Sequence, residues 1–132
     1  MAHSSRILIA RVLIVSADVQ FDFMRAAVEA RGFEVTVAHD HDGAYRELLK
    51  SSFDLVVIDL AQAPRDIEFI QRLRLAPTLS KTFVLALGEW GTGQPTLALS
   101  QGADVYEPKP VNTERLIAAV ERMLRPELAV AE

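Results

Sequence analysis

Apolar positions along this chain follow two spacings in turn, short unbroken runs and stripes at helical period. Residues 11–15, RVLIV, form the first run, which suits a strand buried on both faces. Over residues 19–31 the spacing becomes helical: Phe23, Met24, Ala27 and Val28 share one face and Asp22, Arg25 and Glu29 another. Gly32 follows as a helix stop. Phe33, Val35 and Val37 alternate with polar residues, as a half-buried edge strand does. Asp42-Gly43 reads as a turn and residues 44–50 as a short second helix. Residues 55–60, LVVIDL, are another fully buried strand, and Ile67, Ile70 and Leu73 stripe a third helix. Residues 82–87 read as the fourth strand. Residues 88–95 hold three of the six glycines and one of the six prolines, so a loop is expected, with Pro95 in the first turn of a fourth helix that Gly102 ends. Residues 105–107 make a short fifth strand. Asn112 is placed to cap a last helix carrying Leu116, Ile117, Val120, Met123 and Leu124 on one face and stopped by Pro126.

Strands and helices therefore alternate as (βα)5, which predicts an α/β fold of three layers, a parallel five-stranded sheet with helices on both faces. Right-handed crossovers leave few topologies, and the flavodoxin-like strand order 2-1-3-4-5 fits best. Residues 1–10 read as an N-terminal extension, 11–125 as one domain and 126–132 as a tail. A chain of 132 residues suits a single domain with its own core. The absence of cysteine excludes disulfides and thiolate metal sites and points to a reducing cytoplasm. A net charge of -4 with mixed signs argues against a nucleic-acid or anionic-membrane partner. The apolar stretch at residues 7–15 is interrupted by Arg11 and is far short of the roughly 20 residues a membrane span needs.

Open parallel sheets place their sites beyond the carboxyl ends of the strands, where strand order reverses. Asp18, Asp59, Lys109 and Ser16 are the polar groups that could meet there. Asp59 follows LVVI in a strand buried on both faces, so its carboxylate needs a cation or donors, and Lys109 is a matching cation. From spacing alone, a plain ion pair closing the sheet and a functional pair are equally good readings. Pro110 after Lys109 leaves a cis and an ordinary trans peptide equally open. His39 and His41 flank Asp40, a weak metal pattern more typical of solvated loop histidines. Trp90 could be an exposed contact residue or a lid over the site.

FEVTVAHDHDGAYRELLKSSFDLVVIDL, preceded by VLIV-SAD and followed by QGADVYEPKP ahead of an amphipathic helix, resembles the receiver domain of two-component response regulators over roughly residues 11–125. The resemblance implies that Asp59 stands where a histidine kinase delivers a phosphoryl group, the carboxylate oxygen being the nucleophile. It implies that Lys109 pairs with that aspartate and that the backbone carbonyl of Ala61 helps hold magnesium. Tyr106 would be the strand-five aromatic that changes rotamer in signalling; otherwise it is a half-exposed strand aromatic. A homodimer or effector face through the fourth helix, fifth strand and fifth helix would include Tyr106, Arg115, Glu121, Arg122 and Arg125, unless these simply form a solvated face.

Departures from the family pattern carry as much information. Two adjacent acidic residues usually end strand one and bind the metal; here those places are Ser16 and Ala17, with Asp18 one place later. Magnesium wants oxygen ligands and negative charge, so its affinity is expected to be weak. The hydroxyl residue that usually ends strand four is replaced by Gly88, or by Leu87 if the register slips by one, which removes its coupling to Tyr106. In AQAPRDIEF the loop after strand three has Pro64 displaced, Asp66 without a following glycine and an apparent one-residue deletion. These departures predict a pseudo-receiver, a phosphorylation-impaired protein-interaction module whose partner is a histidine kinase or downstream effector. The competing expectation is a phosphorylation-competent receiver using Asp59, Lys109 and magnesium, with Asp18 reaching into the metal site. A reading of another class, a small flavodoxin-like nucleotide-binding enzyme, rests on Gly88, Gly91 and Gly93. Their spacing matches neither the dinucleotide fingerprint nor the P-loop, and no paired acid and base or nucleophile elbow supports an enzyme.

Overall fold

Each unbroken apolar run becomes a strand of one parallel sheet in a computed structural model that describes residues 9–91 and 93–125. The strands are β1 (Arg11–Val15), β2 (Glu34–Ala38), β3 (Leu55–Asp59), β4 (Phe83–Gly88) and β5 (Val105–Pro108). The helices are α1 (Asp22–Glu29), α2 (His41–Lys50), α3 (Ala63–Leu75), α4 (Gln94–Ser100) and α5 (Thr113–Leu124). The sheet order is β2-β1-β3-β4-β5 with every pairing parallel, the topology expected from the alternation. The expected stop at Pro126, the tail at 126–132 and residues 1–8 of the extension lie outside the described residues.

Alternation along the strands divides the core in two. Val12 and Ile14 of β1, Leu55 and Val57 of β3, and Leu85 and Leu87 of β4 point to one face, where Met24, Val28, Leu116 and Val120 from α1 and α5 cover them. Leu13, Val15, Val56, Ile58, Val84 and Ala86 point to the other and meet Leu48, Phe69, Ile70 and Leu73 from α2 and α3. Both faces are thus dry, and each fully buried aliphatic side chain contributes on the order of 1.5–3 kcal/mol. With no sheet face left to solvent, polar chemistry is pushed to the strand ends.

Several local expectations need correction. Asp42-Gly43 is not a turn but the first turn of α2, which starts at His41. The Asp40 carboxylate accepts the Gly43 N–H at 2.6 Å, so a capped helix absorbs the glycine. The stretch after β1 opens with a 3-10 turn, Val19–Phe21, before α1 begins. Phe23 is 47% exposed rather than on the buried face with Met24 and Val28, and it stands edge-on to Phe21. β4 runs one residue later than expected, ending at Gly88 and leaving Thr82 outside. Asn112 caps α5 as anticipated, accepting the Arg115 N–H at 3.0 Å. The charged residues assigned to one face of α5 divide. Glu121 pairs with Arg31, while Arg125 donates to the Arg31 carbonyl and lies 4.1 Å over the Phe33 ring, so both hold the α1–β2 turn. Arg115 pairs instead with Glu107 of β5.

Candidate functional site

Asp59 is the last residue of β3 and is buried, as its position after LVVI demands. Neighbouring strand ends meet its two oxygens. Lys109, just past β5, places its Nζ against Oδ1. That lysine is held by its backbone, whose N–H donates to the Gly88 carbonyl at 2.9 Å, and by Phe21, whose ring centroid lies 5.4 Å from Nζ. The Lys109-Pro110 peptide is cis. Ser16, just past β1 and itself buried, donates its hydroxyl to Oδ2 at 2.9 Å. The same Oγ accepts the Asp18 N–H at 3.0 Å, so the turn that leaves β1 is tied to the carboxylate through one hydroxyl. A buried carboxylate with a cation on one oxygen and a donor on the other is compensated without further ligands.

A cavity of about 170 Å³ opens beside this centre, lined by Ser16, Ala17, His39, Asp40, His41, Asp59, Ala61, Gln62, Arg65 and Asp66 among others. Ser16, Ala17, Asp59 and Ala61 therefore share one space. Asp18 is exposed, and its backbone N–H is tied to the Ser16 hydroxyl that meets Asp59. Trp90 is 69% exposed, as an exposed contact residue would be.

The second buried carboxylate in the cavity wall was missed by sequence reasoning. Asp66 accepts the Gln62 N–H at 2.8 Å, satisfying a free donor at the start of α3, and its other oxygen meets His41 Nε2 at 2.7 Å. The His41 ring stacks on Phe69, with centroids 4.8 Å apart. His39 reaches the Ser16 carbonyl through Nδ1 at 2.9 Å. His39 is the exposed loop residue expected of this segment, whereas His41 is half-buried in the first turn of α2. One signal was available: Asp66 precedes Ile70 and Leu73 at helical spacing, on the buried stripe of α3.

Magnesium needs several oxygen ligands in near-octahedral array, and few side-chain oxygens of this wall are uncommitted. Ala17 offers no side-chain oxygen, and the Ser16 hydroxyl is committed to Asp59 and the Asp18 amide. The other carboxylates of the wall are engaged as well, Asp40 capping α2 and Asp66 bonded to His41 and Gln62. Among the described residues, no group of three or more His, Asp or Glu side chains is arranged to hold a metal ion.

Gly88 closes β4 opposite Pro108 of β5, with the Tyr106 hydroxyl close to its Cα. The Tyr106 hydroxyl donates toward the Glu89 carbonyl and toward Gln94 Oε1, the latter at 2.8 Å, and that same oxygen accepts the Glu89 N–H at 2.9 Å. Burial, then the Glu89 carboxylate, pushes the Tyr106 pKa up to about 12. Tyr106 is thus half-buried, as expected of a strand aromatic, but bonded rather than merely packed. Gln94 was not anticipated. Gly91 and Gly93 have positive φ angles of 88° and 81°, a backbone conformation that itself calls for glycine. Among the described residues, no helix is long and apolar enough to cross a membrane.

Comparison with known proteins gives the architecture a family. The chain is 33% identical over 117 residues to the transcriptional regulatory protein CpxR of Escherichia coli, covering 87% of this chain and 49% of that protein. It is 34% identical over 104 residues to the phosphate regulon transcriptional regulatory protein PhoB of Rhizobium meliloti, covering 77% of this chain and 46% of that one. The chain therefore spans about half the length of the curated relatives it matches. Among solved structures, a response regulator from Thermotoga maritima superposes with a TM-score of 0.81 at 24% identity, covering 89% of this chain and 98% of that one. The receiver domain of the Francisella response regulator 1452 superposes with a TM-score of 0.79 at 26% identity, with coverages of 89% and 98%. No family model matches the chain. The sequence relatives and the fold agree with the motifs around Asp59 and Lys109: the chain belongs to the response-regulator family of two-component signalling and carries its receiver domain.

Proposed function

We propose that this receiver, spanning residues 11–125, is a protein-interaction module whose Asp59–Lys109 centre is impaired in magnesium-dependent phosphoryl transfer. The observation that supports this most is the Ser16 hydroxyl donating to Asp59 Oδ2 while Lys109 faces Oδ1. Asp59 remains the phosphoacceptor position and Lys109 its partner, but the charge that would draw a divalent ion to their side is missing. Phosphoryl transfer depends on such neutralisation and on positioning of the reacting oxygens. Ala61 and Asp18 stay the remaining oxygen sources for a weak magnesium site. Gly88 removes the hydroxyl through which Tyr106 would sense a phosphoryl group. The partner on this reading is another signalling protein, a histidine kinase or a downstream effector, met in the cytoplasm without nucleic-acid or membrane contact by this domain. A homodimer through α4, β5 and α5 belongs to the same proposal.

The test is to titrate magnesium, then magnesium with beryllofluoride or a small phosphodonor, while following Trp90 emission and intact mass. No magnesium-dependent change and no added phosphoryl mass is the expected result for the folded chain. The double substitution Ser16→Asp/Ala17→Asp should then create a magnesium response. A mass gain in the unsubstituted chain that Asp59→Asn abolishes would overturn the proposal in favour of a competent receiver. That second reading draws on the retained Asp59–Lys109 pair and the cavity beside it.

A further inference from the structure

A side chain is missing at the end of β4, and two others occupy its space. A Cβ built on Gly88 would collide with Gln94 Oε1 and with the Tyr106 hydroxyl. Gln94 comes from the first turn of α4 and Tyr106 from the middle of β5, so three elements converge on one absent atom. A phenol has one proton and a glutamine carbonyl oxygen two lone pairs. Gln94 Oε1 uses both, accepting the Glu89 N–H and the phenol, whose proton is shared with the Glu89 carbonyl. Both backbone polar groups of Glu89, the first residue of the β4–α4 loop, are thereby tied down, one by Gln94 and one by Tyr106.

We infer that Gln94 is a latch: its amide oxygen, seated in the space left by Gly88, holds Tyr106 and the start of the β4–α4 loop in a single arrangement whatever the state of Asp59. The latch uses no side chain of the Asp59, Lys109 and Ser16 group, so it stands or falls separately from the proposal on phosphorylation. It makes Gln94 a positioning residue for Tyr106. Oxygen at position 94 is what matters, since a shape-matched apolar side chain would leave the Glu89 N–H without its acceptor. The raised Tyr106 pKa accords with a phenol kept neutral beside the Glu89 carboxylate.

The full-length chain tests this with amide hydrogen exchange at Glu89 and spectroscopic titration of the phenol, in Gln94→Leu, Gln94→Glu and Gly88→Ser variants. Tyr106→Phe identifies the Tyr106 signal, because Tyr45 is the other tyrosine. Gln94→Leu should speed exchange at Glu89 by about tenfold and lower the pH at which Tyr106 ionises. Gln94→Glu, which keeps the acceptor oxygen, should restore slow exchange. Gly88→Ser should behave as Gln94→Leu does, since its Cβ displaces the ends of two flexible side chains rather than backbone. Asp59→Asn should leave both readouts unchanged. Unaltered exchange and titration in Gln94→Leu would overturn the latch, as would a response to Asp59→Asn of the same size. Should Gly88→Ser fail to fold, the leucine and glutamate variants decide the matter between them.

Discussion

Asp59 and Asp66 line the same cavity and are both buried, yet they are held by different kinds of partner. Asp59 ends a strand, and its oxygens meet side chains delivered by two other strand ends, Lys109 and Ser16. Asp66 sits in the first turn of α3, and its oxygens meet a backbone N–H of its own helix and a histidine from α2. The first carboxylate depends on a full positive charge brought from far along the chain. The second is largely satisfied by local geometry, its N–H donor being built into the helix start. The difference separates a carboxylate that joins three strand ends from one that fastens α2 to α3.

Lys109→Met should be the most damaging way to probe this contrast. It strands the Asp59 charge with only the Ser16 hydroxyl, and denaturant unfolding should register a loss of about 3 kcal/mol. Adding Asp59→Asn to that variant should recover most of the loss, because the charge is then gone; a double variant no better than the single would show that the lysine acts through packing. Asp66→Ala should cost less, about 2 kcal/mol, since it removes the His41 partner and leaves the Gln62 N–H to water. A larger loss for Asp66→Ala than for Lys109→Met would invert the comparison. Ser16→Ala is the mildest change, about 1.5 kcal/mol for the hydroxyl's bonds to a charged oxygen and to the Asp18 amide, read from the same unfolding curves. If it stabilises instead, the hydroxyl is not what compensates Oδ2.

The sequence foretold Asp59 and not Asp66 for a physical reason. An acid after four apolar strand residues stands out, because a parallel strand has no solvated face to put it on. An acid in a helix PRDIEF is ordinary, and its burial follows only once α2 has placed His41 across from it, in a contact between residues far apart in sequence. α2 itself was read too short because Gly43 looked like a turn residue, although the Asp40 cap makes the glycine harmless. The alternation of periods was enough for the strand order, since both helical layers and right-handed crossovers follow from it. Gln94 lay beyond reach altogether: nothing near it in sequence marks it, and its role exists only because position 88 has no side chain.

That empty position has a consequence for how this domain could regain a hydroxyl at the end of β4. At an exposed glycine, a change to serine adds a group and leaves the neighbours in place. Here the incoming Cβ would evict Gln94 and Tyr106 together and, with them, the acceptors of the Glu89 amide and the phenol. The one-step route therefore passes through a form that has lost its present contacts before it has gained any use for the new oxygen. A path that first shortens Gln94 meets a smaller barrier, so the order of substitutions, and not only their sum, decides which descendants of this sequence are accessible.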